Sequence, residues 1–329
     1  MIYEKRRRVN GMKKNVLLFA DFGVDDILAY MYGVFHQEIN IIGVVASYGN
    51  VTREYSLRNI ELLKKLTKTE HIQVIKGAER PLTGNEVKVY PEVHGQEGLG
   101  PFSFPLLSIG NEYNFDKIYE LVRNNKELTI VNVGRLTSLA TAFIYEPNLM
   151  KSVKEIFVMG GAFQVQGNIT PVAEANIYSD FIAANIVNKI APSIKYFPLD
   201  VTTMAVISEK QMDVLTKYFP AKTRQLLIEI HKYYTNFYEK KHFVKCSPQH
   251  DLLTIWALIN EQYVTYEEKC VKIVVNSIAK GQTIGYDERS SSCSFIHKVA
   301  TFIDYERFIQ DVTSTFHHGS VTVIDSEWL

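Results

Sequence analysis

Residues 16–26 read VLLFADFGVDD, a short apolar run that leads straight into three aspartates, Asp21, Asp25 and Asp26. The run has the length and composition of a buried strand. Beyond it, apolar residues recur at Ile27, Tyr30, Met31, Val34 and Phe35, the spacing of an amphipathic helix. Strand, tight turn and helix make the first half of a βαβ unit, and the chain repeats the pattern. Further strands are expected at 41–46 (IIGVVA), 72–75 (IQVI), 128–133 (LTIVNV), 155–159 (EIFVM) and 194–199 (IKYFPL), with a crossover helix over 53–67. This alternation predicts an α/β fold with a mixed, mostly parallel sheet covered by helices on both faces.

After Asp200 the pattern turns helical, around 223–242 and again at 251–260. Strands are expected at 270–276 and 297–303, with a last helix from about Asp304. Neither an internal repeat nor a linker-like stretch interrupts this, so residues 12–329 are expected to form a single domain. Residues 1–11 form a basic N-terminal extension whose order the sequence leaves open. The segments 80–105 and about 219–248 are expected to be loops that move, because long loops in a compact α/β domain are usually functional.

Lys plus Arg and Asp plus Glu are both 36, which excludes a global field that would attract nucleic acid or an anionic membrane. A small molecule is the expected partner. The apolar run after the basic start is too short for a secretory signal, and no stretch approaches the length of a membrane span, so a cytoplasmic location is expected. Cys246, Cys270 and Cys293 are odd in number and widely spaced, and free thiols are expected.

In an open parallel sheet, ligands bind beyond the carboxyl ends of the strands. The polar clusters fall there: the three aspartates after the first strand, Gly49 and Asn50 after the second, VGRLTS at 133–138, and GNITPVAEAN at 167–176. Asp25 and Asp26 suit the first turn of a helix, where they oppose its dipole. Asp21 lies outside that explanation. Three close carboxylates repel unless a cation or a shared proton neutralises them, and spacing alone leaves metal binding and capping equally open. The first turn holds only Gly23, and its acids would repel a pyrophosphate, which argues against a dinucleotide loop. His250 and Asp251 open a helix, and Glu174 with Asn176 suits either a helix start or a grip on sugar hydroxyls.

Taken together and in order, these clusters resemble the inosine-uridine preferring nucleoside hydrolase family. Its first turn reads D-x-D-P-G-x-D-D, against FADFGVDD here; SYGN, GAERPL, HGQEGLG, NVGRLTSLA, VMGGAF, GNITPVAEANIYSD, PLDVT and KVATFIDYERF follow in sequence, over about residues 16–316. The resemblance implies hydrolysis of the N-glycosidic bond of ribonucleosides to base and ribose, a role in purine or pyrimidine salvage, and a homodimer or homotetramer. It implies Ca²⁺ held by Asp21, Asp26, Asp251 and the backbone carbonyl of Val133. Ribose would be held by Asp25, Asn50, Asn168, Glu174 and Asn176. Asp21 would serve as general base, with His250 or His94 protonating the departing base. Phe19, Phe22 and Ser138 depart from the family pattern, and Phe19 keeps open a member that binds nucleoside or ribose with little turnover.

Overall fold

The computed structural model describes residues 13–106, 113–243, 245–287 and 293–325; the basic extension at 1–11 lies outside them. Among the described residues eleven strands run in chain order: β1 (Lys14–Ala20), β2 (Ile39–Ala46), β3 (Gln73–Lys76), β4 (Thr129–Asn132), β5 (Glu155–Met159), β6 (Ile194–Phe197), β7 (Val206–Ser208), β8 (Cys246–Pro248), β9 (Val264–Ile273), β10 (Thr283–Tyr286) and β11 (Ile296–Ile303). Nine of them form one sheet in the order β10-β9-β11-β6-β5-β4-β1-β2-β3, and β7 pairs with β8 separately. Strands β1 to β6 pair in parallel, β11 joins parallel to β6, and β9 and β10 add antiparallel pairs, which is the mixed α/β sheet expected.

The physical reason is visible along β1. Val16, Leu18 and Ala20 enter the apolar layer on one face, and Leu17 and Phe19 enter the layer on the other. A strand buried on both sides must be apolar throughout, hence an unbroken run in place of an alternating one. At the amino ends of the strands, Lys14, Glu155, Lys195 and Glu261 form an alternating network (Lys14–Glu155 3.2 Å, Lys195–Glu155 2.7 Å, Lys195–Glu261 2.6 Å) that balances its own charge.

Three expectations need correction. The segment 219–248 is not a long loop but largely the 22-residue helix Ala221–His242, as the helical pattern at 223–242 predicts, because its apolar residues recur at helical spacing and pack against the core. Strands β7, β8 and β10 were not foreseen in the sequence, being three or four residues long. Cys270 and Cys293 form a disulfide with Cα atoms 5.8 Å apart. The antiparallel return that sets Cys270 opposite Ile296 brings them together, and Cys246 alone stays free. Among the described residues, no helix is long and apolar enough to cross a membrane.

Candidate active site

The chain runs from β1 outward to β2 and β3, then returns to place β4 on the other side of β1. The adjacent carboxyl ends of β1 and β4 are therefore a topological switch point, where the crevice of such a sheet opens. Phe19 pairs with Asn132 in register, and the Phe19 carbonyl accepts a hydrogen bond from the Val133 amide at 2.9 Å. This alignment sets Asp21, one residue past β1, beside Gly134 and Arg135, just past β4. A cavity of about 290 Å³ opens there.

Helices Val24–Phe35 and His250–Asn260 pack against each other and aim their first turns at this crevice. Asp25, Asp26 and Asp251 each offer a carboxylate oxygen, and the three atoms lie within 4.8 Å of one another. All three residues are buried. Asp26 caps its own helix, its Oδ2 accepting from the Gly23 amide at 2.8 Å, so capping explains part of its role. Its other oxygen and Oδ1 of Asp25 have no hydrogen-bond partner. Burial, and then the charge of Asp21, pushes Asp25 up to about 7. Burial and the neighbouring acids drive Asp26 and Asp251 well above the ordinary carboxylate range. Buried acids with orphaned oxygens are the donor set a hard divalent cation requires.

Asp21 is held differently. Its Oδ2 accepts from the Asn50 amide at 2.6 Å and from Nη1 of Arg135 at 3.1 Å, and Asn50 Nδ2 approaches its Oδ1 at 3.4 Å. Burial raises the carboxyl, and Arg135 acts against that rise. Arg135, 2% exposed, also donates from Nη1 to Oδ1 of Asn176 at 2.6 Å and from Nη2 to Oδ1 of Asn50 at 3.1 Å. The sequence reading passed over Arg135. Its only signal was a long cationic side chain directly after the glycine at a strand tip.

The ribose candidates gather on the same cavity, which Asp25, Asn50, Asn168, Glu174 and Asn176 all line. Glu174 caps the helix Ala175–Ser179, Oε1 accepting from the Asn176 amide at 2.8 Å and Oε2 from Ile177 and Gly161 at 3.1 Å each. The helix-start reading of Glu174 therefore holds while its carboxylate also faces the cavity. Asn176 donates to the Val133 carbonyl at 2.8 Å. Asn168, at the exposed rim, accepts from the Ala175 amide at 2.9 Å.

Both histidines are buried against the cavity, and burial lowers His94 to about 3 and His250 to about 4. His94 Nδ1 accepts from the Val24 amide at 3.1 Å, which places its proton on Nε2. His250 bridges Thr202 Oγ1 (2.7 Å) and the Tyr238 hydroxyl (3.3 Å). Tyr234, Phe237 and Tyr238 complete an aromatic wall; Tyr234 reaches Asp25 at 3.5 Å.

The departures from the family pattern have distinct consequences. Phe19 is buried in the apolar layer that includes Leu17, Val45 and Ile75. Ser138 shares a 2.6 Å hydrogen bond with Ser47 and accepts from the Ala78 amide. Phe22 is buried with φ at +41°, a left-handed conformation that a bulky side chain adopts only under constraint. Proline, fixed near −65°, cannot follow that path. Phe22→Pro is expected to destabilise the protein by about 3 kcal/mol or more, measured by urea unfolding. At Gly49 an added Cβ would meet Asp21 Oδ2 at 1.8 Å. Gly49→Ala is expected to cost about 2 kcal/mol or more in the same assay, because the carboxylate must leave its place between Asn50 and Arg135.

A doubly wound sheet with a carboxylate-rich cavity at its switch point defines an α/β enzyme acting on a small polar molecule. Residues 16–310 match the sequence pattern of the inosine-uridine preferring nucleoside hydrolases, and the chain belongs to that family. It is 31% identical over 283 residues to probable uridine nucleosidase 2 of Oryza sativa subsp. japonica, covering 84% of this chain and 83% of that protein. It is 28% identical over 304 residues to the inosine-uridine preferring nucleoside hydrolase of Crithidia fasciculata, covering 90% and 95%. The solved purine-preferring ribonucleoside hydrolase from Gardnerella vaginalis superimposes with a TM-score of 0.86 at 28% identity, over 94% of this chain and 100% of that one.

Proposed function

We propose that this nucleoside hydrolase cleaves ribonucleosides to base and ribose with Ca²⁺ held by Asp21, Asp26, Asp251 and the Val133 carbonyl, and with Asp21 as general base. The observation that carries this reading is the meeting of acids from distant parts of the chain, with orphaned oxygens on Asp25 and Asp26, beside one small cavity. When bound, such an ion supplies positive charge that acidifies water and aligns sugar hydroxyls.

The chain's own groups supply the rest. Asp21 takes the proton of the attacking water. Asp25 uses its unpartnered oxygen to accept from a ribose hydroxyl, and Asn50, Asn168 and Asn176 complete the grip on the sugar. Glu174 and the aspartates face the ribosyl group as it gains oxocarbenium character, and their charge stabilises it. Attack in a single displacement inverts the anomeric carbon.

Burial disfavours the charged form of both imidazoles, and His250, with His94 as the second candidate, is assigned the delivery of a proton to the leaving base. Tyr238 and His250 are hydrogen-bonded at 3.3 Å, and the tyrosines and Phe237 offer the base an apolar wall. Phe19, the residue that would favour a binder without turnover, is taken up in the apolar layer with Leu17 and Val45.

The test is ribose release from a panel of nucleosides, inosine and uridine included, with and without a calcium chelator. Release should vanish in the chelator and return with added Ca²⁺. Undiminished release in the chelator would exclude the cation, and saturable nucleoside binding with no ribose produced would favour the binder.

A further inference from the structure

Arg135 makes hydrogen bonds to three of the groups assigned above to the cation and the sugar: Asp21 Oδ2, Asn50 Oδ1 and Asn176 Oδ1. It lines the cavity, whereas Asp21, 0% exposed, forms no part of the cavity wall. The guanidinium therefore stands between the cavity and the proposed base. Its Nε is buried without a partner, although the two Nη atoms make three bonds. Asp25, Asp26 and Asp251 meanwhile gather with ligand oxygens within 4.8 Å of one another, and Asp21, whose carboxyl also interacts with that of Asp26, makes the ion pair to Arg135.

We propose that Arg135 is a built-in rival to the divalent cation: it neutralises Asp21 and occupies the sugar's acceptors until a cation and ribose displace it. The inference rests on the metal reading above and deepens it. A guanidinium and a divalent ion are both satisfied by carboxylate oxygens, and Asp21 Oδ2 already accepts from the Asn50 amide as well as Arg135. Two cations drawing on one carboxylate are coupled unfavourably, so each weakens the hold of the other. Arg135 thus acts as a positioning residue that sets how tightly the site takes its metal. It differs from a permanent structural pair, which would remain closed with metal bound.

Calcium titrated calorimetrically into the metal-stripped full chain tests this, with Arg135→Met and Arg135→Gln as variants. Both should bind Ca²⁺ about tenfold more tightly than the wild type. In chelator the variants should melt below the wild type, because Asp21 has lost its partner, and saturating Ca²⁺ should close or reverse that gap. Equal or weaker calcium binding, or a melting gap that is the same with and without Ca²⁺, overturns the inference and leaves the metal reading standing. Absence of calcium binding by wild type and variants alike removes the metal reading, and the inference falls with it. Should neither variant fold, a calcium-loaded crystal structure of the wild type decides: Arg135 must have left Asp21, and a retained contact near 3.1 Å with the ion seated on Asp21 refutes the rivalry.

Discussion

Asp21→Asn is expected to lower kcat for ribose release by about 10³- to 10⁴-fold while leaving KM within a small factor. The substitution keeps the size of the side chain and one oxygen to accept from the Asn50 amide, so the turn after β1 should hold. On the proposed reading it removes both a proton acceptor, buried one residue past the strand end, and a negative ligand for the cation. The two losses separate experimentally. If calcium affinity falls and excess Ca²⁺ restores the rate, the carboxylate serves mainly as ligand. If the rate stays low at saturating Ca²⁺, it is the base. Near-normal activity would show that another group activates water.

The second large effect concerns the substrate. A 2′-deoxyribonucleoside is expected to be turned over with kcat/KM lower by about 10⁴-fold than its ribonucleoside parent. Asp25 Oδ1 is buried without a hydrogen-bond partner, the proposed function has a ribose hydroxyl supply one, and burial makes a stranded polar atom expensive. Steady-state kinetics on matched pairs, such as uridine and 2′-deoxyuridine, measure the ratio. A ratio near one would mean that the sugar lies elsewhere in the cavity.

Much of the fold was legible because parallel strands are apolar runs and their crossovers carry helical spacing. Strand β5 coincides with the five residues expected, and β1, β2, β3, β4 and β6 differ only at their ends. Strands such as β7 (VIS) and β8 (CSP) were illegible because three residues hold no period, and their pairing joins segments far apart in sequence. The acids, the asparagines and both histidines were legible from a succession of clusters, and the structure brings all of them to the wall of one cavity except Asp21 and Asp26, which are buried outside its lining. Arg135 was not. An arginine after a strand-tip glycine normally extends into solvent, and here it is turned inward by Asp21, Asn50 and Asn176, all distant from it in sequence. The cysteine pair had the same difficulty, since its closure depends on the register between β9 and β11.

The charge network at the amino ends of the strands has a counterpart in what the opposite rim lacks. Lys14, Glu155, Lys195 and Glu261 cancel one another, whereas the cavity wall carries Asp25, Asp251 and Glu174 with Arg135 and Lys241, and Asp21 and Asp26 lie buried behind it. Charges that neutralise one another thus lie at one end of the strands, and at the other end are gathered the acids that the proposed cation would neutralise.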